Sequence, residues 1–193
     1  MSSSTEAGNP VAAVETSSGA KGLRNLYYVR FGFAIVWTGL LALTASTLTP
    51  VSVALLVVYP LFDVAAALVD LRSSGATRSR APLYVNMALS LLTAAGVAVA
   101  ATSGIPDVLR VWGAWAITAG IVQLIVAVLR HRLGGQWAMI LSGGLSAVAG
   151  ASFVLQAGGA SASLTNVAGY AAVGGVFFLI SAIRLHLRAA KAR

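Results

Sequence analysis

Six apolar stretches of about twenty residues each follow one another along this chain, at 27–48, 51–71, 83–103, 108–129, 136–156 and 165–185. A helix of that length rises far enough to cross the roughly 30 Å hydrocarbon layer of a bilayer. Composition agrees, since 58% of the 193 residues are hydrophobic and 9% charged, against about 45–50% and 25% in soluble domains. The connections are too short to form a globular domain outside the membrane. The predicted fold is an all-α integral membrane domain of six transmembrane helices, paired as three hairpins at 27–72, 83–130 and 136–188. Residues 1–26, rich in Ser, Thr, Ala and Gly, read as a disordered cytoplasmic tail, and 189–193 as a basic cytoplasmic tail.

A net charge of +8 would suggest nucleic acid in a soluble protein, but here the charges follow the membrane. When the six spans alternate, Lys21, Arg24, Arg30, Arg72, Arg78, Arg80, Arg130, Arg132, Arg184, Arg188, Lys191 and Arg193 fall on one side and only Arg110 on the other. Short loops rich in Lys and Arg stay in the cytoplasm. Both termini are therefore expected there, the bilayer is the expected partner, and nucleic acid is excluded. A full-length span begins directly after Lys21 and Arg24, so the first apolar stretch reads as retained rather than cleaved. There is no cysteine, hence no disulfide and no thiolate chemistry.

The second, fourth and sixth spans end alike, in LVDLR, AVLRHR and SAIRLHLR, which places Arg72, Arg130 and Arg184 at near-regular intervals. This is a threefold internal repeat of parallel hairpins. The outer turns hold Pro50, Pro106 and the pair Gly158 and Gly159, and Gly134 with Gly135 forms an inner turn. Small residues recur every four positions in the fifth span, as Ser142, Ser146 and Gly150 beside Gly143, Ala147 and Ala151. Such a face packs closely on another helix, in the same chain or in a second membrane protein or copy.

The segments YYVRFGFAIVWTGLLAL, YPLFDVAAALVDLR, WGAWAITAGIVQLIVAVLRHR and GGQWAMILSGGLSAVAG resemble the HdeD-like family of acid-resistance membrane proteins, over residues 27–187. The likeness includes Arg30 with Phe31 and Gly32. At Asp63 and Val64 the family has Asp-Gly, so the close backbone approach made there by the family is not expected here. The resemblance implies a bacterial inner-membrane protein of six spans associated with acid or stress resistance.

Asp63 is the only acid placed well within a predicted span, seven residues inside Asp70 and so about 10 Å deeper. A carboxylate near a helix centre costs about 2.5–3.5 kcal/mol. Arg30, three residues into the first span from the same side, is its natural partner. The alternatives are a neutral Asp63 hydrogen-bonded to a neighbour, and a site for protons or a solute. Asp107 and Arg110 are expected to pair at the outer interface, with Asp107 capping the fourth helix. Gln123 and Asn86 suit interhelical hydrogen bonds. Trp112, Trp115 and Trp137, with Tyr27, Tyr28 and Tyr84, read as an interfacial belt, and the deeper Trp37 as packing. His131 and His186 read as interfacial residues rather than a pH switch.

No catalytic grouping, metal-ligand spacing or phosphate-cradling loop appears, so no cofactor and no enzyme activity are expected. The expected function is that of a stress-associated membrane protein. An accessory subunit of a membrane complex and a channel or transporter for a proton or small solute are the alternatives.

Overall fold

The structure is a computed structural model that describes residues 10–73, 80–129, 131, 136–160 and 162–191, without the side chains of 10–18 and 20. Among these residues there are six α-helices and no strand: α1 (Pro10–Ala42), α2 (Pro50–Ser73), α3 (Ala81–Ala100), α4 (Ile105–Leu129), α5 (Trp137–Gln156) and α6 (Thr165–Lys191). Helices α2 to α6 are each long and apolar enough to cross a membrane, which makes this a multi-pass membrane protein. Arg30, Tyr27 and Tyr28 dilute the apolar part of α1.

Two boundaries differ from expectation. Helix α1 starts at Pro10, well inside the segment read as a disordered tail, and α6 continues through Lys191 into the basic tail. A scarcity of large apolar residues points to disorder. However, Pro10 is suited to a helix start, Ala12, Ala13 and Ala20 are strong helix formers, and extending a formed helix costs far less than nucleating one. Residues 1–9, Arg78, Arg130, Arg132, the Gly134–Gly135 turn and Arg193 lie outside the described residues.

The helix starts have local causes. At α2, Thr49 and Ser52 exchange backbone-to-side-chain hydrogen bonds, Ser52 N–H to Thr49 Oγ1 at 3.1 Å and Thr49 N–H to Ser52 Oγ at 2.7 Å. Pro50 follows as the first helical residue, where its missing N–H is harmless. Between α3 and α4 the chain reverses through Gly104 at φ +115°, a conformation that favours glycine. Pro50 and Pro106 thus begin helices instead of forming the turns, and Asp107 lies in the first turn of α4 rather than at its cap. A carboxylate there still complements the helix dipole.

The helices form a closed ring. Each packs on its neighbours in chain order and α6 returns to α1, with α4–α5, α1–α6 and α2–α3 the most extensive contacts and α5–α6 the least. The α4–α5 contact depends on glycines that meet in antiparallel register, Gly113 with Gly150 and Gly120 with Gly143. A methyl group at Gly150 would sit 2.5 Å from the Gly113 carbonyl oxygen, and one at Gly120 would sit 2.6 Å from that of Gly143. Without side chains the two backbones touch and gain van der Waals contact along their length. Gly143, Ala147 and Gly150 of the small-residue face are therefore turned onto α4 within this chain.

The two ends of the ring differ. At the end carrying the outer turns, Trp37, Leu41, Leu56, Val97, Leu109, Trp112, Phe153 and Val167 fill the interior as one buried cluster. The loops close over it, with Leu164 N–H donating to the Ala45 carbonyl at 3.2 Å. Toward the end that carries Arg24, Arg72, Arg80, Arg184 and Arg188, here the basic end, the interior is open.

Candidate functional site

The open interior is a cavity of about 490 Å³, and all six helices contribute to its wall. Asp70, Gln136 and Arg184 stand at its mouth, while Tyr59, Trp115, Ser146 and Tyr170 form its floor. At and below the floor the aromatic rings pack, mostly tilted or edge-to-face, into a plug. Trp112 lies 5.7 Å from Trp37 and 5.1 Å from Trp115, and Tyr59 lies 4.6 Å from Trp37 and 5.5 Å from Trp112. The cavity therefore opens toward the basic end and is blocked toward the other.

Asp63 is buried on the wall, and the structure brings Arg30 to it. Arg30 Nη2 donates to Asp63 Oδ1. The second carboxylate oxygen accepts from Asn86 Nδ2 at 2.5 Å and from Ser90 Oγ at 2.9 Å. The Arg30 guanidinium lies 4.2 Å above the Phe178 ring of α6, a favourable cation–π geometry. One carboxylate thus connects α1, α2 and α3, and its arginine extends the connection to α6. A buried ion pair is stable only where its remaining lone pairs are satisfied, and Asn86 and Ser90 do that here.

Smaller contacts fix the rest of the wall. Gln123 Nε2 donates across the α4–α5 contact to the Met139 carbonyl at 3.0 Å. Ser146 and Tyr170 share a hydrogen bond of 3.0 Å between α5 and α6. Ser142 and Ser146 line the cavity, so the small-residue stripe of α5 is split between packing and wall. On α2, Pro60 has no N–H to continue the helix ladder, and the Trp37 indole donates to the neighbouring Leu55 carbonyl at 2.7 Å.

Three groups of residues lie away from this site or differ from expectation. Asp107 and Arg110 pair with each other at the outer end, both well exposed. His131 and His186 are exposed, His131 Nδ1 bonding to the Val128 carbonyl at 2.8 Å. Trp112 and Trp115 are not belt residues, because they project into the ring and belong to the plug, whereas Trp137 is 74% exposed. Position near a span end does not determine which face of the helix a ring occupies.

Sequence reasoning missed Ser90, Tyr170, and Gly113 with Gly120. The seven-residue spacing of Gly113 and Gly120, repeated by Gly143 and Gly150, was a legible signal of helix contact. Serine is too common in membrane helices for Ser90 to have stood out. Among the described residues no group of three or more His, Asp or Glu gathers to hold a metal. The chain matches no protein-family model, no curated protein and no solved structure.

Proposed function

We propose that this is a six-span, HdeD-like protein of a bacterial inner membrane, with both termini in the cytoplasm, which binds a small organic anion in its central cavity and carries out no catalysis. The observation that carries the reading is the cavity itself, closed at one end and walled by an arginine whose carboxylate partner is already saturated. Its volume is within the roughly 300–1,000 Å³ usual for small-molecule sites. The wall combines apolar surface with a few polar groups, as such sites do.

The sixth span is supported by the packing of α1 between α2 and α6 and by Arg30, which reaches Asp63 from the same end. Orientation is supported by the twelve-to-one division of Lys and Arg between the two ends. Contacts alternate around the ring with a threefold period, but the extensive ones, α2–α3, α4–α5 and α6–α1, join successive hairpins and the lesser ones lie within them, so the threefold repeat rests on the recurring span ends in the sequence. The HdeD-like reading rests on the segments quoted above, and a stress-protective role follows from it alone. An accessory-subunit role loses its main support, because the small-residue face of α5 is occupied by α4.

Transport of the bound anion is a second reading, favoured by Pro60, which interrupts the α2 ladder level with the plug, where a bend would open the opposite end. Binding is tested by native mass spectrometry of the full chain, looking for a retained anion in wild type and in Gly174→Leu. Gly174 lines the cavity and has no atom within 4 Å of where a side chain would begin, so leucine fills the space without clashing. An adduct lost in the variant is expected, and no adduct with no thermal stabilisation by any anion would overturn the reading. Reporter fusions after residue 193 and within 156–165 should give opposite sidedness. Anion flux into liposomes separates transport from binding alone.

A further inference from the structure

The cavity wall is most sparsely packed on one side, between α5 and α6. Among the described residues that line it, only Leu145 of α5 and Val173 of α6 are more than about a third exposed, at 49% and 47%, and each continues an exposed stripe of its helix, with Leu141 and Val148 on α5 and Val176 and Ile180 on α6. These two helices are the least packed pair of neighbours in the ring. They meet toward the plugged end, through the Ser146–Tyr170 hydrogen bond and the Phe153–Tyr170 ring contact at 5.7 Å. Nearer the basic end Gly174 faces open space. Apolar Leu141, Val176 and Ile180 lie exposed along the outside of both helices, so a gap at this height opens on hydrocarbon rather than water.

The chemistry inside indicates what would use such a gap. Both Asp63 oxygens are filled, whereas Arg30 uses one of its five N–H donors on Asp63. The Trp115 indole N–H on the floor is buried without a partner among the described residues, and Arg184 and Asp70 both stand at the mouth. A wall whose buried carboxylate is filled and whose Arg30 and Trp115 have donors to spare suits an oxyanion at that depth, and the apolar remainder of the wall suits hydrocarbon.

We infer that the ligand is a membrane amphiphile with an anionic oxyacid head and at least one acyl chain, admitted sideways between α5 and α6 from the leaflet at the basic end. This inference rests on the anion-binding reading above and names its ligand class. In this arrangement the head and part of one chain lie inside the cavity and the rest occupies the seam.

The test uses the full chain in phosphatidylcholine vesicles containing a minor fraction of phosphatidylglycerol with a photoactivatable acyl chain. Irradiation should label the cavity residues Met139 and Ser142 in addition to the outward Leu141, and the same group on phosphatidylcholine should label Leu141 alone. Leu145→Trp and Val173→Trp, which narrow the seam, should lower the interior label about tenfold, equivalent to one decade in affinity. Val173→Ala, which widens it, should keep the label or raise it. Labelling confined to outward residues, equal interior labelling by both lipids, or loss of label in Val173→Ala would overturn the inference. Inorganic phosphate forms the second arm. If it stabilises the protein in a Gly174→Leu-sensitive way while the lipid leaves the interior unlabelled, lateral admission fails and anion binding stands; if neither binds, both fail.

Discussion

The two halves of the ring are built from the same helices but by different rules. At the end with the outer turns, rings and glycines bring backbones and side chains into contact until no space is left, and the loops hydrogen-bond over the top. At the basic end the same helices spread around a cavity, held by the Arg30–Asp63 pair, a few cross-helix hydrogen bonds and the Gly120–Gly143 contact of α4 with α5. Lipid tails are as apolar as leucine, so in a bilayer burial alone does not hold helices together. Close packing and polar contacts must do so. The plugged half relies on the first, and the basic half, apart from the Gly120–Gly143 contact, on the second, which leaves it open space.

The largest expected effect tests the polar half. Arg30→Gln strands a carboxylate whose side chain is only 10% exposed, at a cost of about 3–5 kcal/mol. Asp63→Asn should cost less, because Arg30 faces the cavity and keeps its contact with Phe178. The double variant should be less harmful than the sum of the singles in detergent thermal unfolding. Additive effects would mean that the pair does not hold this half together.

Next is the plug. Trp112→Ala removes a fully buried ring and should destabilise by about 3–5 kcal/mol, whereas Trp137→Ala, at the rim of the basic end, should change stability by less than about 0.5 kcal/mol. Equal melting temperatures for the two would erase the distinction between the halves. A finer comparison uses glycines. Gly150→Ala forces a methyl group onto the α4 backbone and should cost about 1–3 kcal/mol, while Gly174→Ala on the cavity wall should be within about 0.5 kcal/mol of wild type. The smallest effect is expected at the exposed outer pair, where Arg110→Gln should cost about 0–1 kcal/mol, less still at high salt.

What could be read from the sequence follows the same division. Apolar length identified where the helices run, because the bilayer imposes it. A lone acid in hydrocarbon demanded a cation, and Arg30 was the one within reach. Ser90, Tyr170 and the inward direction of Trp112 and Trp115 depend instead on how each helix is rotated about its axis. Rotation is set by contacts between distant segments such as Gly113 with Gly150, not by local pattern. The cavity was illegible for a related reason, since an empty volume is what remains after every helix has been placed. The tail was misjudged because lack of apolar residues distinguishes a segment outside the membrane from one inside, but does not distinguish coil from an exposed helix.

The meeting of α1 with α6 has a consequence for how the protein is made. As the chain emerges from the ribosome and its helices enter the bilayer one by one, the first arrives carrying Arg30, and the carboxylate that neutralises it follows 33 residues later on α2. The charge is therefore sheltered early, within a single hairpin. The Phe178 ring, and with it the last wall of the ring, arrives only with the final helix. Until then the cavity lacks one of its six walls, so the site bounded by Tyr59 and Trp115 exists only once α6 is in place.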